Sequence, residues 1–183
     1  METEGCQTSI PGLFELIGCP AYDKRGSFLN LFRSTDNGFE EAWACRMVMQ
    51  INLSRTDKIG TVRGLHFQRS PYEECKIVRC IRGRVWDVIV DLRPSSPTYR
   101  LWHAAELSES SANAFVIPEG CAHGYQSLEA NSELLYIHSN VWMPEAETGL
   151  RFDDPALGIR WPYMPHGLSK RDMELPFLES LNE

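Results

Sequence analysis

An all-β fold, either a sandwich or a barrel, is predicted for this chain of 183 residues by three observations. Many short runs have the length and composition of strands, and glycine and proline separate them. The clearest hairpin has one arm from Lys76 to Ile81, a turn at Arg82–Gly83 and a second arm from Val85 to Leu92. In the second arm the residues alternate between two faces, as a strand inside a layered structure requires.

The remaining elements follow from the same patterns. Further strands are predicted over residues 27–33, 47–53, 100–107, 114–117, 124–127 and 133–140. Helix is expected only near the termini and over residues 37–43, and Ser169 is predicted to cap a short C-terminal helix with Asp172 at its third position. The length suits one domain over residues 1–183, with an N-terminal extension over 1–21 and a C-terminal tail over 163–183 that packs on the barrel.

Composition excludes several classes of protein. A hydrophobic fraction of 43% without a run of eighteen apolar residues indicates a globular chain with no membrane span. The acidic start lacks the basic and apolar regions of an export signal, and the six cysteines form no CxxC pair, so we expect reduced thiols and a cytoplasmic location. A net charge of -7 argues against a nucleic-acid partner, because such binding depends on a basic field.

Two histidine-containing segments carry the chemistry. The segment from Gly60 to Gln68, with His66, and the segment from Pro118 to His123 have the spacing of the two half-motifs of cupin proteins. A cupin-type double-stranded β-helix, or jelly roll, with short peripheral helices is therefore predicted. Gln68 stands where a metal cupin has its second histidine, and Lys76 stands where it has a glutamate. A cation in place of a carboxylate suits an anionic ligand better than a divalent metal.

From about Tyr22 to Pro162 the chain resembles the dTDP-4-dehydrorhamnose 3,5-epimerases and related nucleotide-sugar epimerases. The resemblance rests on many motifs in the same order, including Asp23-Lys-Arg-Gly-Ser-Phe28, Arg63-Gly-Leu-His-Phe-Gln68, Lys76-Ile-Val-Arg79, Val85-Trp-Asp-Val-Ile-Val-Asp-Leu-Arg93, Ile117-Pro-Glu-Gly-Cys-Ala-His-Gly124, Leu135-Tyr136 and Phe152-Asp-Asp-Pro-Ala-Leu-Gly158.

The resemblance implies an isomerase that inverts C3, C5 or both of a 4-keto-6-deoxy sugar nucleotide, with no metal and no cofactor. Protons next to the carbonyl are acidified, and inversion removes one from one face and returns one to the other. His66 matches the base, since an imidazole accepts protons near neutral pH. Asp154 matches the carboxylate that orients this base, Tyr136 the acid on the opposite face, and Lys76 the cation that faces the enolate oxygen.

The resemblance also implies a set of binding residues and a homodimer. Arg63 matches a ligand of the pyrophosphate, and His123 is expected beside Lys76. In relatives an N-terminal strand crosses to the neighbouring subunit, which would bring Arg25 and Phe28 to the partner's site. The complete set of predicted substrate-binding residues is Arg25, Phe28, Asn30, Gln50, Asn52, Arg63, Gln68 and His123.

Several alternatives stay open at this point. Asn30 and Val141 stand where the family has a glutamate and a tyrosine near the nucleotide base, so a thymine nucleotide leads but another is possible. A sugar-nucleotide 3,4-ketoisomerase and a binding protein without turnover would keep the same pocket. A metal-dependent cupin would use His66, His123 and either Glu73 or Glu74.

One geometrical problem also arises within the first segment. Arg63 and His66 have opposite parity in a straight strand, so a bulge is predicted near Gly64 to bring both into one cavity.

Overall fold

The computed structural model describes residues 3–35, 40 and 42–182. Its strands in chain order are β1 (Glu4–Gln7), β2 (Phe14–Ile17), β3 (Ala21–Asp23), β4 (Gly26–Phe28), β5 (Gln50–Thr56), β6 (Val62–Gln68), β7 (Lys76–Arg82), β8 (Arg84–Asp91), β9 (Trp102–Ser108), β10 (Asn113–Ile117), β11 (Cys121–Ser127), β12 (Ser132–His138) and β13 (Glu147–Gly149). A short helix α1 (Lys170–Glu174) and a 3₁₀ helix (Leu178–Asn182) follow.

Two antiparallel sheets make up the body of the molecule. A six-stranded sheet has the order β1-β2-β10-β7-β12-β5, and a five-stranded sheet has the order β13-β6-β11-β8-β9. The hairpin of β3 and β4 forms a separate two-stranded sheet. This architecture confirms the predicted all-β jelly roll. None of the described helices has the length and apolarity needed to span a bilayer.

The interior core lies between the two large sheets, and both of them contribute to it. Its buried side chains include Val78, Leu134 and Phe115 of the six-stranded sheet and Val85 and Ile89 of the five-stranded sheet. The other face of β8 carries Trp86, Val88 and Val90, which pack with Leu92, the residue after the strand, in a different cluster under the C-terminal segment. The alternation predicted for β8 is therefore confirmed, and β8 is buried on both sides.

Segments outside the two sheets cover the outer faces of both. On the six-stranded sheet, Leu16 of β2 and Ile77 of β7 pack with Trp43. On the five-stranded sheet, Leu150, Leu157 and Leu178 pack against the outward side of β8 and its neighbours. Strands β1 and β2 lie within residues 1–21, and β2 pairs with β10, so this extension contributes two strands to the larger sheet.

Most predicted strands are present, and two are displaced. The strand predicted over 27–33 ends at Phe28, because β4 pairs only with β3 and that pairing ends at Ala21. The strand predicted over 47–53 begins at Gln50, where the pairing of β5 with β12 starts.

The helical predictions are also largely reproduced. Ser169 caps α1 through a hydrogen bond to its Oγ from the backbone N–H of Asp172 (3.0 Å), which confirms that prediction. Residues 42 and 43 are helical, while positions 37–39 and 41 of the segment predicted to be helical lie outside the described residues.

Candidate active site

A cleft of about 740 Å³ opens between the two large sheets. Strands β5, β7 and β12 form one wall, β6 and β11 form the other, and the segment around α1 closes one side. The cleft is lined by Gln50, Ile51, Asn52, Leu53, Ser54, Arg55, Arg63, His66, Glu74, Lys76, His123, Tyr125, Tyr136, His138, Trp142, Glu147, Ser169, Arg171 and Asp172.

His66 of β6 is paired with Asp172 of α1. The distance between His66 Nε2 and Asp172 Oδ1 is 2.7 Å, and Asp172 is only 4% exposed. Burial would raise the pKa of Asp172, but the hydrogen bond and the charge of His66 outweigh it and lower the pKa below its ordinary value. Asp172 is therefore a carboxylate that can orient His66 and stabilise its protonated form. Nδ1, the other ring nitrogen, is the one left to take a proton.

The prediction that Asp154 orients this histidine is wrong. Both carboxylate oxygens of Asp154 accept backbone N–H groups, from Ala156 (2.8 Å) and from Leu178 (2.6 Å). The residue is 3% exposed and does not line the cleft. Asp154 instead closes a turn and fastens the C-terminal segment to the barrel. The adjacent Asp153 pairs with Arg151 at 2.7 Å.

The bulge predicted at Gly64 is present and brings Arg63 to the cleft. His66 pairs with His123 and Arg63 pairs with Tyr125, so two residues of β6 lie between these pairs and only one residue of β11. Gly64 has φ +101°, and a Cβ there would lie 2.6 Å from the carbonyl oxygen of His123. Only glycine fits this position, and because of the bulge Arg63 and His66 face the same cavity.

Tyr136 of β12 lies between two histidine rings. It meets the His123 ring edge-on at 5.9 Å and is stacked on the His138 ring at 5.9 Å with an interplanar angle of 13°. Desolvation of the phenol, together with nearby Tyr125 and Asp87, raises the pKa of Tyr136 well above its ordinary value. Tyr136 is therefore protonated at neutral pH and can donate a proton.

His123 of β11 is buried against Asp87 of β8. The distance between His123 Nε2 and Asp87 Oδ2 is 2.8 Å, and Asp87 is completely buried. Burial raises the pKa of Asp87 in spite of the opposing effects of His123 and Lys76. This pair fixes the imidazole that meets Tyr136, and both His123 and Lys76 line the cleft.

Lys76 of β7 forms an ion pair inside the cleft. Its Nζ is 2.9 Å from Glu74 Oε1, and the other oxygen of Glu74 is 2.7 Å from His138 Nδ1. Burial would raise the pKa of Glu74, but the charge of Lys76 and the hydrogen bond with His138 lower it to about 2. Glu74 is therefore an ionised carboxylate inside the cleft, held between two nitrogen groups.

Arg63 differs from the other cations of the cleft. Its Nε donates to Thr56 Oγ1 at 3.1 Å, and its Nη2 donates to the carbonyl oxygen of Arg55 at 2.9 Å. Within the described part of the chain, it is the one arginine or lysine of the lining without a carboxylate partner. The paired cations are Lys76 with Glu74, Arg55 with Glu133, and Arg171 with Glu147.

Of three other residues predicted to bind substrate, two line the cleft and one does not. Gln50 and Asn52 line the cleft, whereas Gln68 does not. The Gln68 amide donates to the carbonyl oxygens of Tyr72 and Val141 and accepts from the N–H of Met143, so its hydrogen-bonding groups are used inside the fold. The prediction that Gln68 binds substrate is therefore wrong.

The three predicted residues near the N-terminus lie apart from this cleft. Arg25, Phe28 and Asn30 are not among its lining residues, and Phe28 is 69% exposed.

The described residues offer little to a metal ion. No group of three His, Cys, Asp or Glu side chains among them is placed to hold one. Each histidine of the cleft pairs with a different carboxylate, and Glu74 has the Lys76 ammonium beside it, which would repel a cation. The donor set therefore does not fit the metal-dependent alternative.

Three cleft residues were missed as site residues from the sequence. The sequence pattern presents Asp172 only as part of a helix cap, and Glu74 only as a candidate metal ligand. His138 has the same strand parity as Tyr136, and a polar face on a barrel strand was the signal that could have identified it.

Comparisons with known proteins identify the family of this chain. The family model described as dTDP-4-dehydrorhamnose 3,5-epimerase matches residues 7–180. The dTDP-4-dehydrorhamnose 3,5-epimerase of Sinorhizobium fredii is 43% identical over 157 residues, covering 85% of this chain and 80% of that protein.

Two solved structures are similar over nearly the whole chain. NovW, a 4-keto-6-deoxy sugar epimerase from Streptomyces spheroides, has a TM-score of 0.93 at 34% identity, covering 100% of this chain and 90% of that chain. The Bacillus anthracis dTDP-4-dehydrorhamnose 3,5-epimerase with TDP and PPi bound has a TM-score of 0.91 at 30% identity, covering 96% and 99%. The chain therefore belongs to the dTDP-4-dehydrorhamnose 3,5-epimerase family of sugar-nucleotide isomerases.

Proposed function

We propose that this protein inverts C3, C5 or both of a dTDP-linked 4-keto-6-deoxy sugar by removing and returning protons. One observation carries the proposal: His66, with its carboxylate partner, and Tyr136, with its protonated phenol, come from different sheets and line the same cleft. A sugar bound between the two walls would meet the base on one face and the acid on the other.

The proposed steps use only side chains of the cleft. His66 Nδ1 takes the proton from the carbon next to the keto group, and the resulting imidazolium is stabilised by Asp172 at 2.7 Å. Electron density moves to the keto oxygen, and Lys76 stabilises the enolate. Tyr136 then returns a proton to the opposite face of that carbon. The phenolate regains a proton from solvent, and the imidazolium loses one to it, so the enzyme is restored.

The charge distribution supports an orientation for the substrate. Arg63 has no carboxylate partner among the described residues, and its guanidinium suits two oxygens of a diphosphate. Lys76 is neutralised by Glu74 at 2.9 Å, so its surroundings suit the uncharged sugar. The diphosphate would therefore lie at Arg63 and the keto sugar at Lys76.

The nucleotide and the regiochemistry belong to the proposal as well. Thymidine diphosphate is the leading nucleotide because relatives carry it in their names and one has TDP bound. Asn30 and Val141 replace the residues expected near the base, so a second nucleotide is the first alternative to assay.

We further propose a homodimer in which the hairpin of β3 and β4 serves the neighbouring site. This hairpin exposes Tyr22 and Phe28, at 77% and 69%. The edge strand β5 also exposes Ile51 and Leu53, and apolar side chains on an unpaired edge favour association.

The cysteines are all unpaired, which supports a reducing, cytoplasmic location.

The decisive experiment is NMR of dTDP-4-keto-6-deoxyglucose with the enzyme in deuterated water. We expect enzyme-dependent loss of the proton signal, with inversion, at C3, C5 or both. His66→Ala should abolish both exchange and inversion. Tyr136→Phe should retain exchange but lose inversion, because the proton can then return only from the side of the base. Exchange that persists unchanged in His66→Ala would refute the assignment of the base, and 3,4-ketoisomer formation would favour the alternative reaction.

Subunit complementation tests the proposed exchange of the hairpin. His66→Ala inactivates a subunit's own cleft but leaves its hairpin intact, whereas Arg25→Ala with Phe28→Ala damages only the hairpin. A mixed dimer of these two subunits should regain one working site of the two if the hairpin serves the partner. An absence of recovered activity in verified mixed dimers would show that the hairpin acts elsewhere.

A further inference from the structure

A continuous row of polar side chains crosses three neighbouring strands on the wall of the cleft. His138 of β12 lies directly opposite Gln50 of β5 on one side and Lys76 of β7 on the other. Glu74, two residues before Lys76, closes the row at one end, and Asn52 bridges Gln50 to His138. The row therefore connects the amides of Gln50 and Asn52, which are predicted to bind substrate, to the ammonium group of Lys76. The connection passes through Glu74 and His138, which have no role in the proposed steps.

The hydrogen bonds of this row have one direction. Glu74 is a carboxylate with a pKa of about 2, so His138 Nδ1 must donate to it, at 2.7 Å. His138 Nε2 is then free to accept from the Asn52 amide nitrogen, at 3.4 Å. Asn52 Oδ1 accepts from Gln50 Nε2 at 3.1 Å, and Gln50 Oε1 accepts from the N–H of Trp142 at 2.9 Å. Each member thus restricts the orientation of the next one.

The charged members of the row are withdrawn from solvent. The side chains of Lys76 and Glu74 are 8% and 9% exposed, and that of His138 is 11% exposed. A buried ion pair contributes little net stability, but removing one partner leaves the other without compensation. Asp87 and Cys121 also lie near Lys76, but the carboxylate in ion-pair contact with its Nζ is that of Glu74, at 2.9 Å. Glu74 is therefore the group that holds the Lys76 ammonium in one place.

We propose that Glu74 and His138 are positioning residues that hold Lys76 and Asn52 as one rigid unit against the keto sugar. Glu74 fixes Nζ of Lys76 where the enolate oxygen develops, and His138 fixes the Asn52 amide. His138 also supports the ring of Tyr136 by stacking at 5.9 Å. This inference rests on the proposed function, because it assigns these residues to the sugar end of the same cleft.

The test compares two shape-preserving variants with the parent enzyme. Glu74→Gln keeps the size of the side chain and removes its charge. His138→Phe keeps a ring against Tyr136 and removes both hydrogen bonds. We expect each to lower kcat for deuterium exchange by about tenfold to a hundredfold, as loss of a charge-assisted contact predicts. The Kd of dTDP should change by less than about twofold, because dTDP lacks the sugar that meets this end of the cleft.

A double-mutant cycle and a control variant complete the experiment. Because the row acts as one unit, the variant with both changes should lose little more than the worse single variant. Glu119→Gln is the control, since it removes a carboxylate from an ion pair with Arg46 (2.8 Å) outside the cleft and should leave kcat unchanged.

The outcomes separate the inference from the proposed function. A kcat within about threefold of the parent in both variants would overturn the positioning role. Losses that multiply in the double variant would overturn the single unit. A fall in dTDP affinity in proportion to kcat would reduce the row to a structural feature. An inactive parent enzyme with intact dTDP binding would instead count against the proposed reaction.

Discussion

Replacing Asp172 by asparagine tests which carboxylate supports the base. The change keeps the shape of the side chain but removes the charge that lies 2.7 Å from His66 Nε2. Hydrogen bonds to charged groups contribute about 1.5–3 kcal/mol, which corresponds to roughly 10- to 150-fold in rate. An asparagine amide can also donate to Nε2, which moves the imidazole proton to Nδ1 and removes the base; in serine proteases the comparable change costs about 10⁴ in kcat. We expect kcat to fall by about 10²- to 10⁴-fold.

Asp154→Asn is the matched comparison, because the sequence motif pointed to Asp154 instead. Its carboxylate accepts two backbone N–H groups, at 2.8 and 2.6 Å, and is buried. We expect a loss of about 1–3 kcal/mol in the free energy of unfolding, and a decrease in Tm of about 3–10 °C. The kcat of the folded enzyme should stay within about threefold of the parent, since Asp154 does not reach the cleft.

The assay measures kcat for deuterium exchange at 10–20 °C below the lower Tm, with the folded fraction checked by circular dichroism. The reasoning fails if Asp154→Asn lowers kcat more than Asp172→Asn does. It also fails if Asp172→Asn lowers Tm but leaves the kcat of the folded enzyme unchanged.

Three further predictions concern binding, the bulge and acid stability. Arg63→Lys should raise the Kd of dTDP, measured by calorimetry, by about tenfold or more and should change kcat less, because lysine cannot bind two phosphate oxygens at once as a guanidinium does. Arg82→Lys on the exposed hairpin is the control and should leave the Kd unchanged. Equal effects of the two changes would contradict the assignment of Arg63. Gly64→Ala should lower the free energy of unfolding, measured by denaturant titration, by at least about 3 kcal/mol, because the added Cβ would clash with the His123 carbonyl oxygen. Gly158→Ala is the control: Gly158 has φ +58° and no atom within 4 Å of an added Cβ, so this change should lower the free energy of unfolding by only about 1 kcal/mol. Glu74 has its pKa lowered from 4.5 to about 2, so the stability it contributes is complete above about pH 4.5 and is lost as pH falls towards 2, amounting to about 3 kcal/mol. Unfolding free energies measured from pH 6 to pH 3 should therefore fall less steeply in Glu74→Gln, and identical slopes would refute this.

Local patterns predicted the strands because their causes are local. The hairpin of β7 and β8 follows from alternation and from Gly83, which has φ +73° at the turn. The bulge at Gly64 was also predictable, since two residues of opposite parity had to reach one cavity. The strand ends were less predictable: β4 stops at Phe28 because no partner strand continues beyond Ala21, and only the assembled sheet determines that.

The partners of the cleft residues depended on contacts between distant parts of the chain. Asp172 is 106 residues from His66, and its position as the third residue of a capped helix gave no indication that the helix would dock beside β6. The sequence makes Glu74 a candidate metal ligand because carboxylates and histidines are the usual donors, but its neighbours in the structure are Lys76 and His138. Gln68 lies on β6 like His66 but is turned to backbone groups of two loops.

The sequence by itself determined the all-β fold, the family, and the residue types in the cleft, since periodicity, glycine positions and motif order are properties of the chain alone. Only the tertiary structure decided which carboxylate serves which base. A charge selects its partner by distance and burial, and both depend on how the C-terminal segment and the strands pack. Asp154 and Asp172 are equivalent as chemical groups, but the turn before the C-terminal segment directs the first to backbone amides, and helix α1 directs the second to His66.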